Sequence, residues 1–456
     1  MKTNDNHSSK TRREFIRNTA VATTAFTIIP RYVLGGKGFI APSDKLNIAC
    51  VGIGGKGRVD VGGVSSENII ALCDVDQARA RHGNPGFSKT NAYDAFPAAR
   101  RYQDFREMLD KEKDVDAITI STPDHTHAVI TMAAMKKGIH VYTQKPITRT
   151  VDESRKIVEY ARKNGIVSQM GNQGHANVGP RILNELIWQG AIGSIKEVHC
   201  WTNRPVWPQG IVKRPEDSPP VPSTLNWDLW VGPSPFRPYH PDYVPFNWRA
   251  WWDFGVGALG DMGCHILDYP FWAMKLGAPI SIEGYSSPVS LETAPQASMI
   301  TYNFKSGLDG TVFDLIWYDG GLRPNMPKGL ENHTDLWDSI GGVIFEGDEG
   351  VLVYGHHKPK PILLIRGKEK NYDAPKEMII RSPGHYVEWI NEIKGSKERA
   401  MSNFDYAGPL NEAVLLGNVA IRSGKKIFWD AKKMKMSNAP EANKYLSEEY
   451  RNGWSL

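Results

Sequence analysis

Cysteine is scarce in this sequence: among 456 residues there are four, Cys50, Cys73, Cys200 and Cys264. They form no C-x-x-C pair, and their spacing matches no zinc-ligand pattern. Cys50 and Cys73 lie within apolar runs that predict buried strands. We therefore predict no disulfide framework and no metal site.

Long apolar runs and basic blocks are also missing. The weakly apolar run at residues 19–29 is too short to span a bilayer, and no other run is long enough. The net charge is only +5, and no basic stretch is interleaved with aromatic residues as in nucleic-acid-binding surfaces. The sequence therefore predicts neither a membrane span nor a nucleic-acid partner.

The first 40 residues predict an export signal and a linker. Arg12 and Arg13 precede Phe15 and Ile16, and a short apolar run ending near Pro30 follows. A charged segment followed by a short apolar one is typical of export signals, and paired arginines indicate the twin-arginine (Tat) route. We expect a periplasmic protein cleaved between about residues 29 and 40. The alternative is a disordered basic arm.

A glycine motif follows the first predicted strand. Residues 46–51 form a short apolar run, and the pattern G-x-G-x-x-G comes directly after it. The chain has 43 glycines, so this pattern alone is weak support. After a strand, however, it is typical of a loop that lets backbone approach a pyrophosphate at a helix N-terminus. The predicted cofactor contacts in this loop are Gly52, Ile53, Gly54, Gly55, Lys56 and Gly57.

An acidic residue ends the second predicted strand. Residues 68–73 are mostly apolar, and Asp74 follows 22 positions after Gly52. At that distance a carboxylate accepts a hydrogen bond from an adenosine ribose and repels a 2′-phosphate, so NAD is favoured over NADP. The alternative is a glycine turn in an unrelated α/β protein, with Asp74 as a strand-end cap.

Strands and helices alternate from residue 44 to residue 170, which predicts a Rossmann-type, doubly wound parallel sheet. Polar clusters follow two later strands, at residues 122–127 and 144–146, and we expect them to meet the glycine loop at one sheet edge. Residues 171–456 predict a second, α+β domain with a large, mostly antiparallel sheet. Residues 204–243 are too rich in proline for regular structure, so we predict a long functional loop there.

Four motifs in this order resemble the Gfo/Idh/MocA family of oxidoreductases. They are the glycine loop with Asp74; Thr122-Pro123-Asp124-His125-Thr126-His127; Gln144-Lys145-Pro146; and Gly257-Ala258-Leu259-Gly260-Asp261-Met262-Gly263-Cys264-His265. The third departs from the usual Glu-Lys-Pro, because Gln144 replaces the glutamate. The resemblance implies NAD or NADP binding, oxidation of a hydroxyl of a sugar, inositol or related polyol, and a homodimer or tetramer.

The resemblance assigns the catalytic roles to Lys145, Asp261 and His265. Hydride removal from a carbinol needs a base for the hydroxyl proton, which histidine can supply, while lysine stabilises charge on the oxygen. We also assign Thr122, Pro123, His127 and Lys145 to the cofactor site. Asp261 and His265 are four residues apart and share a helix face. On spacing alone, a helix start and a buried histidine with satisfied hydrogen bonds would explain this pair as well.

Tryptophan is abundant, with 14 residues, many of them between Trp201 and Trp272. Such enrichment suits stacking on sugar rings, although tryptophan also fills protein cores. The predicted substrate contacts are Asn172, His175, Trp207, Arg249 and Trp252. For Asn172 and His175, a role in stabilising a turn is an equal alternative.

Export and NAD dependence together carry a consequence. No NAD pool is expected outside the cytoplasm, so we expect tightly bound NAD that is regenerated within a closed cycle. One form of such a cycle is a redox-neutral glycosidase, which oxidises a sugar, allows elimination and hydration, and then reduces the product. A non-catalytic sugar-binding relative is the alternative from a different class.

Overall fold

The computed structural model describes residues 44–81, 91–337 and 339–456. The predicted export signal lies outside these ranges. Within them, no helix combines the length and the apolar character needed to cross a bilayer. All four cysteines are described, and each is buried with a free thiol.

The first sheet has six strands, and every neighbouring pair is parallel. The strands are β1 (Asn47–Val51), β2 (Asn68–Cys73), β3 (Arg100–Tyr102), β4 (Ala117–Ile120), β5 (His140–Gln144) and β6 (Ser168–Gly171). Their order is β3-β2-β1-β4-β5-β6. The central strands are buried almost throughout, which their continuous apolar runs require when helices cover both faces.

Helices connect these strands. They are α1 (Lys56–Gly63), α2 (Gln77–Arg81), α3 (Ala92–Ala95), α4 (Phe105–Lys111), α5 (Asp124–Met135) and α6 (Val151–Lys163). Thr150 caps α6, and it forms a reciprocal capping box with Glu153. Helices α2 and α3 and part of β3 lie between residues 76 and 101, where short local caps such as Asn91 stabilise single turns.

The second sheet has ten strands and is antiparallel except for one central pair. Its strands are β7 (Ile195–Thr202), β8 (Ser281–Ser286), β9 (Ser298–Lys305), β10 (Val312–Tyr318), β11 (Gly341–Gly347), β12 (Val351–Gly355), β13 (Ile362–Ile365), β14 (Lys368–Lys370), β15 (Ile427–Asp430) and β16 (Lys435–Met436). The order is β14-β13-β12-β11-β7-β10-β9-β8-β15-β16, with β7 and β10 parallel. The predicted fold class is confirmed.

Further helices accompany the second sheet. They are α7 (Val178–Trp188), α8 (Trp227–Val231), α9 (Gly257–Ile266), α10 (Asp268–Ala273), α11 (His385–Ile393) and α12 (Phe404–Ser423). The long α12 contains Pro409 within its first turns. The side chain of Asn403 accepts a hydrogen bond from the Asp405 backbone and caps the start of this helix.

The proline-rich segment 204–243 is not wholly irregular. Helix α8 forms within it, because Asn226 caps its first turn by accepting from the Leu229 backbone at 3.1 Å. Trp227 and Trp230 of this helix are buried and stacked, with ring centroids 4.7 Å apart. The segment therefore has a small aromatic core of its own, which holds it beside the carboxyl edge of the first sheet.

Candidate active site

A single cavity of about 580 Å³ runs along the carboxyl edge of the parallel sheet. The glycine loop and Asp74 line one end of it. Lys145, Asp261 and His265 line the other end. The cavity thus brings together predicted residues that lie more than a hundred positions apart in the chain.

The glycine loop has room for backbone only. Gly52 has φ +74°, a left-handed conformation that side chains disfavour. A Cβ atom on Gly57 would lie 1.6 Å from the carbonyl oxygen of Gly52. The loop therefore forms a tight cradle at the start of α1, of the kind that a pyrophosphate requires.

Asp74 holds this loop from the end of β2. Its Oδ2 accepts hydrogen bonds from the backbone N–H groups of Ile53 at 2.9 Å and Gly54 at 3.2 Å. Burial raises the pKa of Asp74 to about 6, although these backbone donors oppose the rise. The Arg79 side chain lies beside Gly54 and Gly55 and lines the same end of the cavity, and it was not predicted.

The loop after β4 lines the middle of the cavity with Thr122, Pro123 and His127. His127 Nδ1 lies 2.7 Å from the carbonyl oxygen of Pro146, and its Nε2 lies 2.8 Å from that of Thr122. Burial lowers the pKa of His127 to about 4, so the neutral ring donates to one of the two carbonyls. His127 therefore links the loop after β4 to the loop after β5.

Lys145 and Asp261 form the centre of the opposite end. Lys145 Nζ donates to Asp261 Oδ1 at 2.9 Å and to the Asp261 carbonyl oxygen at 2.6 Å. Arg249 Nε donates to the same Oδ1 at 3.2 Å. Burial favours the neutral acid, but the two cations outweigh it and hold the pKa of Asp261 well below its usual range.

Helix α9 places His265 one turn after Asp261. Burial, followed by the charge of Lys145, holds the pKa of His265 well below its usual value. The ring centroid of His356 lies 5.5 Å away. Among the residues that the structure describes, no hydrogen bond reaches a ring nitrogen of His265. The imidazole is therefore neutral at pH 7, with an acceptor nitrogen available for an incoming hydroxyl.

Asp124 also lines this cavity. It belongs to the motif at residues 122–127, but the sequence predicts no role for it. It is 6% exposed at the start of α5. Burial raises its pKa to about 7, against the lowering effect of Lys145 and Arg249. A carboxyl group that titrates near neutral pH beside the lysine can exchange protons with a bound ligand.

The residue that departs from the family motif, Gln144, has a carboxylate for its partner. Its Nε2 donates to both oxygens of Asp60, at 2.9 and 3.1 Å. Asp60 is fully buried in α1 and also accepts from Ser121 Oγ and Tyr386 OH, each at 2.7 Å. Asp60 thus supplies a carboxylate next to residue 144, where the usual motif has a glutamate. Lys145 pairs instead with Asp261.

Of the predicted substrate contacts, Trp207 and Arg249 line the cavity. The Arg249 guanidinium lies 4.3 Å from the ring centroid of Trp248 and 4.5 Å from that of Phe246. Phe246 and Trp248 were not predicted as substrate contacts, although both lie within three residues of Arg249 in the sequence. Arg204, Trp230 and Trp454 also line the cavity without having been predicted.

Asn172, His175 and Trp252 do not line the cavity. His175 Nδ1 bonds Asp268 at 3.0 Å, and its ring stacks on Trp272. Trp252 donates to the backbone of Ser290 at 3.1 Å. The Oδ1 of Asn172 accepts from Ser402 Oγ at 2.5 Å. These three assignments remain predictions, and in this structure each side chain has a partner elsewhere.

One group with metal-ligand geometry occurs in the described ranges, on the second sheet. Ligand atoms of Glu197, His199 and Glu346 lie within 4.8 Å of one another. His199 Nε2 is 3.4 Å from Glu197 and 3.7 Å from Glu346. Side chains of this kind can also pair with one another when no metal ion is bound. The group lies outside the cavity.

Two models of one oxidoreductase family match the chain. GFO_IDH_MocA, the NAD-binding Rossmann fold, matches residues 46–172. GFO_IDH_MocA_C2, the C-terminal alpha/beta domain, matches residues 194–313. Together they cover more than half of the chain.

Characterised relatives resemble only part of the chain. Levoglucosan dehydrogenase of Pseudarthrobacter phenanthrenivorans is 26% identical over 181 residues, which is 38% of this chain and 38% of that protein. A glycosyl hydrolase family 109 protein of Shewanella sp. strain W3-18-1 is 27% identical over 187 residues, 39% of this chain and 40% of that protein. The matches thus span less than half of either relative.

Among solved structures, the chain resembles the WlbA dehydrogenase from Bordetella pertussis, which was crystallised with NADH and UDP-GlcNAcA. The TM-score is 0.58 at 17% identity, over 84% of this chain and 99% of that chain. At this identity the likeness shows the fold alone.

Proposed function

The chain belongs to the Gfo/Idh/MocA oxidoreductase family, and from that premise we propose that it is an NAD-dependent oxidoreductase acting on a hydroxyl group of a sugar, a glycoside or an inositol. The observation that carries the proposal is the shared cavity. A glycine cradle with Asp74 lines one end of it, and Lys145, Asp261 and His265 line the other.

The residues present fit a dinucleotide. The cradle of Gly52 and Gly57 leaves no space for side chains and opens at the N-terminus of α1. Asp74 is ionised at pH 7 and suits a ribose hydroxyl. When bound, the nicotinamide supplies hydride transfer to or from a carbinol carbon.

The side chains at the other end would do the remaining chemistry. His265 is neutral and can take the hydroxyl proton. The Lys145 ammonium can stabilise negative charge that develops on the oxygen. Asp261 holds that ammonium through two contacts, with its carboxylate and with its backbone carbonyl, and so fixes its position.

Export with tightly held NAD is part of the proposal. The paired arginines and the short apolar run of the first 40 residues support a periplasmic location by the Tat route. NAD should then travel inside the folded protein and copurify with it. Full removal of NAD by dialysis, with full recovery of activity on re-addition, would argue against tight binding.

A redox-neutral glycosidase is the second candidate, favoured by the similarity to a glycosyl hydrolase family 109 protein. Such a cycle needs a second proton-exchanging group beside the base. Asp124, with its pKa of about 7, lines the same cavity and would meet that need.

One experiment tests both candidates. The purified protein is incubated with glycosides, monosaccharides and inositols, while NADH absorbance and released aglycone are followed together. NADH formation supports the dehydrogenase, and aglycone without net NADH supports the glycosidase. If neither appears, and His265→Asn matches the wild type in every assay, a non-catalytic sugar-binding role is favoured.

A further inference from the structure

Arg204 is a cation of the cavity that has no carboxylate partner in the part of the chain that the structure describes. It follows β7 closely, and its side chain lines the cavity together with Lys145, Asp261 and His265. Its Nη1 donates to the neutral side chain of Asn203 at 2.5 Å. Within residues 44–81, 91–337 and 339–456, no carboxylate forms an ion pair with it.

Other arginines of the same segment differ in this respect. Arg214 Nε lies 2.7 Å from Glu292 Oε2. Arg237 pairs with Asp253 and is almost fully buried. Each of these cations is thus neutralised within the protein, whereas Arg204 lines the cavity and donates to a neutral side chain, that of Asn203.

The charges around Arg204 do not cancel its own. Lys145 and Arg249 share Asp261, so two cations already face one carboxylate. Asp124 is a further carboxyl group that interacts with Lys145 and Arg249, and it is protonated in part at neutral pH. The histidines near Arg204, His265 and His356, are neutral because burial lowers their pKa values. Positive charge therefore exceeds negative charge at this end.

The cofactor does not account for this excess. The groups suited to its phosphates cluster at the N-terminus of α1: they are the glycine cradle and Arg79, whose side chain lies beside Gly54 and Gly55. Arg204 instead acts on His356, whose ring neighbours that of His265. The unpaired guanidinium is therefore placed for a group on the substrate.

We propose that the substrate is an acidic sugar, whose anionic group pairs with Arg204 while its reacting hydroxyl lies between Lys145 and His265. The inference rests on the proposed function. A guanidinium matches a carboxylate or a sulfate through two parallel hydrogen bonds. Trp207, Phe246 and Trp248 line the same wall and offer aromatic faces to the sugar ring.

Binding of matched sugar pairs tests the inference. Glucose is compared with glucuronate, and galactose with galacturonate, by titration calorimetry on the full-length protein with its NAD. Each acid should bind about 10- to 100-fold more tightly than its neutral partner, as expected for charge-assisted hydrogen bonds. The glucose sulfate ester distinguishes a carboxylate-specific site from a general anion site, and a preference for either anion supports the inference.

Variants of Arg204 make the test specific. Arg204→Gln should abolish the preference for the acid over its neutral partner, while Arg204→Lys should retain part of this preference. Arg214→Gln removes a cation of the same segment outside the cavity and should change nothing. If Arg204→Gln fails to fold, added salt must weaken binding of the acids alone in the wild type.

Equal binding of the two members of each pair would overturn the inference, and so would a preference that survives Arg204→Gln. Turnover is scored separately. NADH or aglycone formed only from neutral sugars leaves the proposed oxidoreductase intact and refutes the acidic substrate. Selective binding of acids with no turnover of any substrate supports the site for an acidic sugar and argues against the proposed oxidoreductase activity.

Discussion

Asp74 and Asp261 lie in the same cavity, yet their pKa values shift in opposite directions. Burial raises that of Asp74 to about 6, and its partners, which are backbone N–H groups, offset this rise only in part. The pKa of Asp261 falls well below its usual range, because Lys145 and Arg249 outweigh burial. One end of the cavity is thus shaped by backbone and the other by side-chain charge. Substitutions at the two ends should therefore impair different properties: turnover at the end with His265, and stability and NAD binding at the end with the glycine cradle.

Replacing the base should separate the two ends most clearly. His265→Asn removes the acceptor for the hydroxyl proton, and we expect kcat to fall about 100- to 10,000-fold. Binding of NAD should not change, because His265 lies at the other end from the glycine cradle. Turnover of the best substrate and the NAD content of the purified protein measure the two effects. A matching loss of NAD would contradict the separation.

Gly57→Ala should produce the opposite pattern. The new Cβ would meet the Gly52 carbonyl oxygen, so we expect a loss of at least about 3 kcal/mol in the free energy of unfolding, together with loss of NAD. Gly62→Ala is the control in the same helix, since its Cβ meets nothing within 4 Å, and it should stabilise by about 0.5–1 kcal/mol. Urea unfolding measures both variants. Equal effects would refute the cradle.

Gln144→Glu tests the junction between the two ends. It replaces an amide that donates to Asp60 by a second carboxylate, so we expect a loss of about 2–4 kcal/mol in stability. The double variant Asp60→Asn/Gln144→Glu restores a donor–acceptor pair and should recover at least about 1 kcal/mol of that loss. Strictly additive unfolding energies would show that the two residues act independently.

Asp74→Ser should alter selectivity more than stability. It removes the carboxylate that suits a ribose hydroxyl and leaves Arg79 beside the loop, where a guanidinium can meet a 2′-phosphate. We expect the ratio of NAD to NADP affinity to fall about 10-fold, the equivalent of one hydrogen bond to a charged group. Titration of the cofactor-depleted protein with each dinucleotide measures the ratio. An unchanged ratio would contradict the assignment of Asp74 to the cofactor site.

The last comparison concerns pH and Asp124. Its pKa rises from 3.8 in the unfolded chain to about 7 in the folded protein, so the folded state binds more protons between these values. Its contribution to stability is therefore present at low pH and is lost as pH rises through 7. The stability of Asp124→Asn relative to wild type should rise from pH 4 to pH 7 in urea unfolding. Parallel curves would contradict the shift.

The end shaped by backbone could be predicted from sequence, because its parts are close together in the chain. The glycine loop and Asp74 lie within 23 residues and follow two adjacent strands. Strand alternation and apolar runs likewise predicted the parallel sheet and the antiparallel character of the second one. These features depend on local pattern, which a single sequence contains.

The other end could be predicted only in part. Lys145, Asp261 and His265 are identified through a family resemblance. The roles of Arg204 and Asp124, in contrast, follow from their neighbours in the folded structure. The lack of a carboxylate beside Arg204 among the described residues, and the burial of Asp124, depend on contacts that no spacing in the sequence encodes. Asn172 and His175 show the same limit, because their partners Ser402 and Asp268 come from distant segments.

The tryptophans of the cavity wall have an optical consequence. Trp207, Trp230, Trp248 and Trp454 all line the cavity in which the dinucleotide is proposed to bind. Tryptophan emits where reduced nicotinamide absorbs, so these indoles are energy donors next to a natural acceptor. Reduction of resident NAD should quench their emission, and reoxidation should restore it. The protein would thus report each half of its own redox cycle without an added dye.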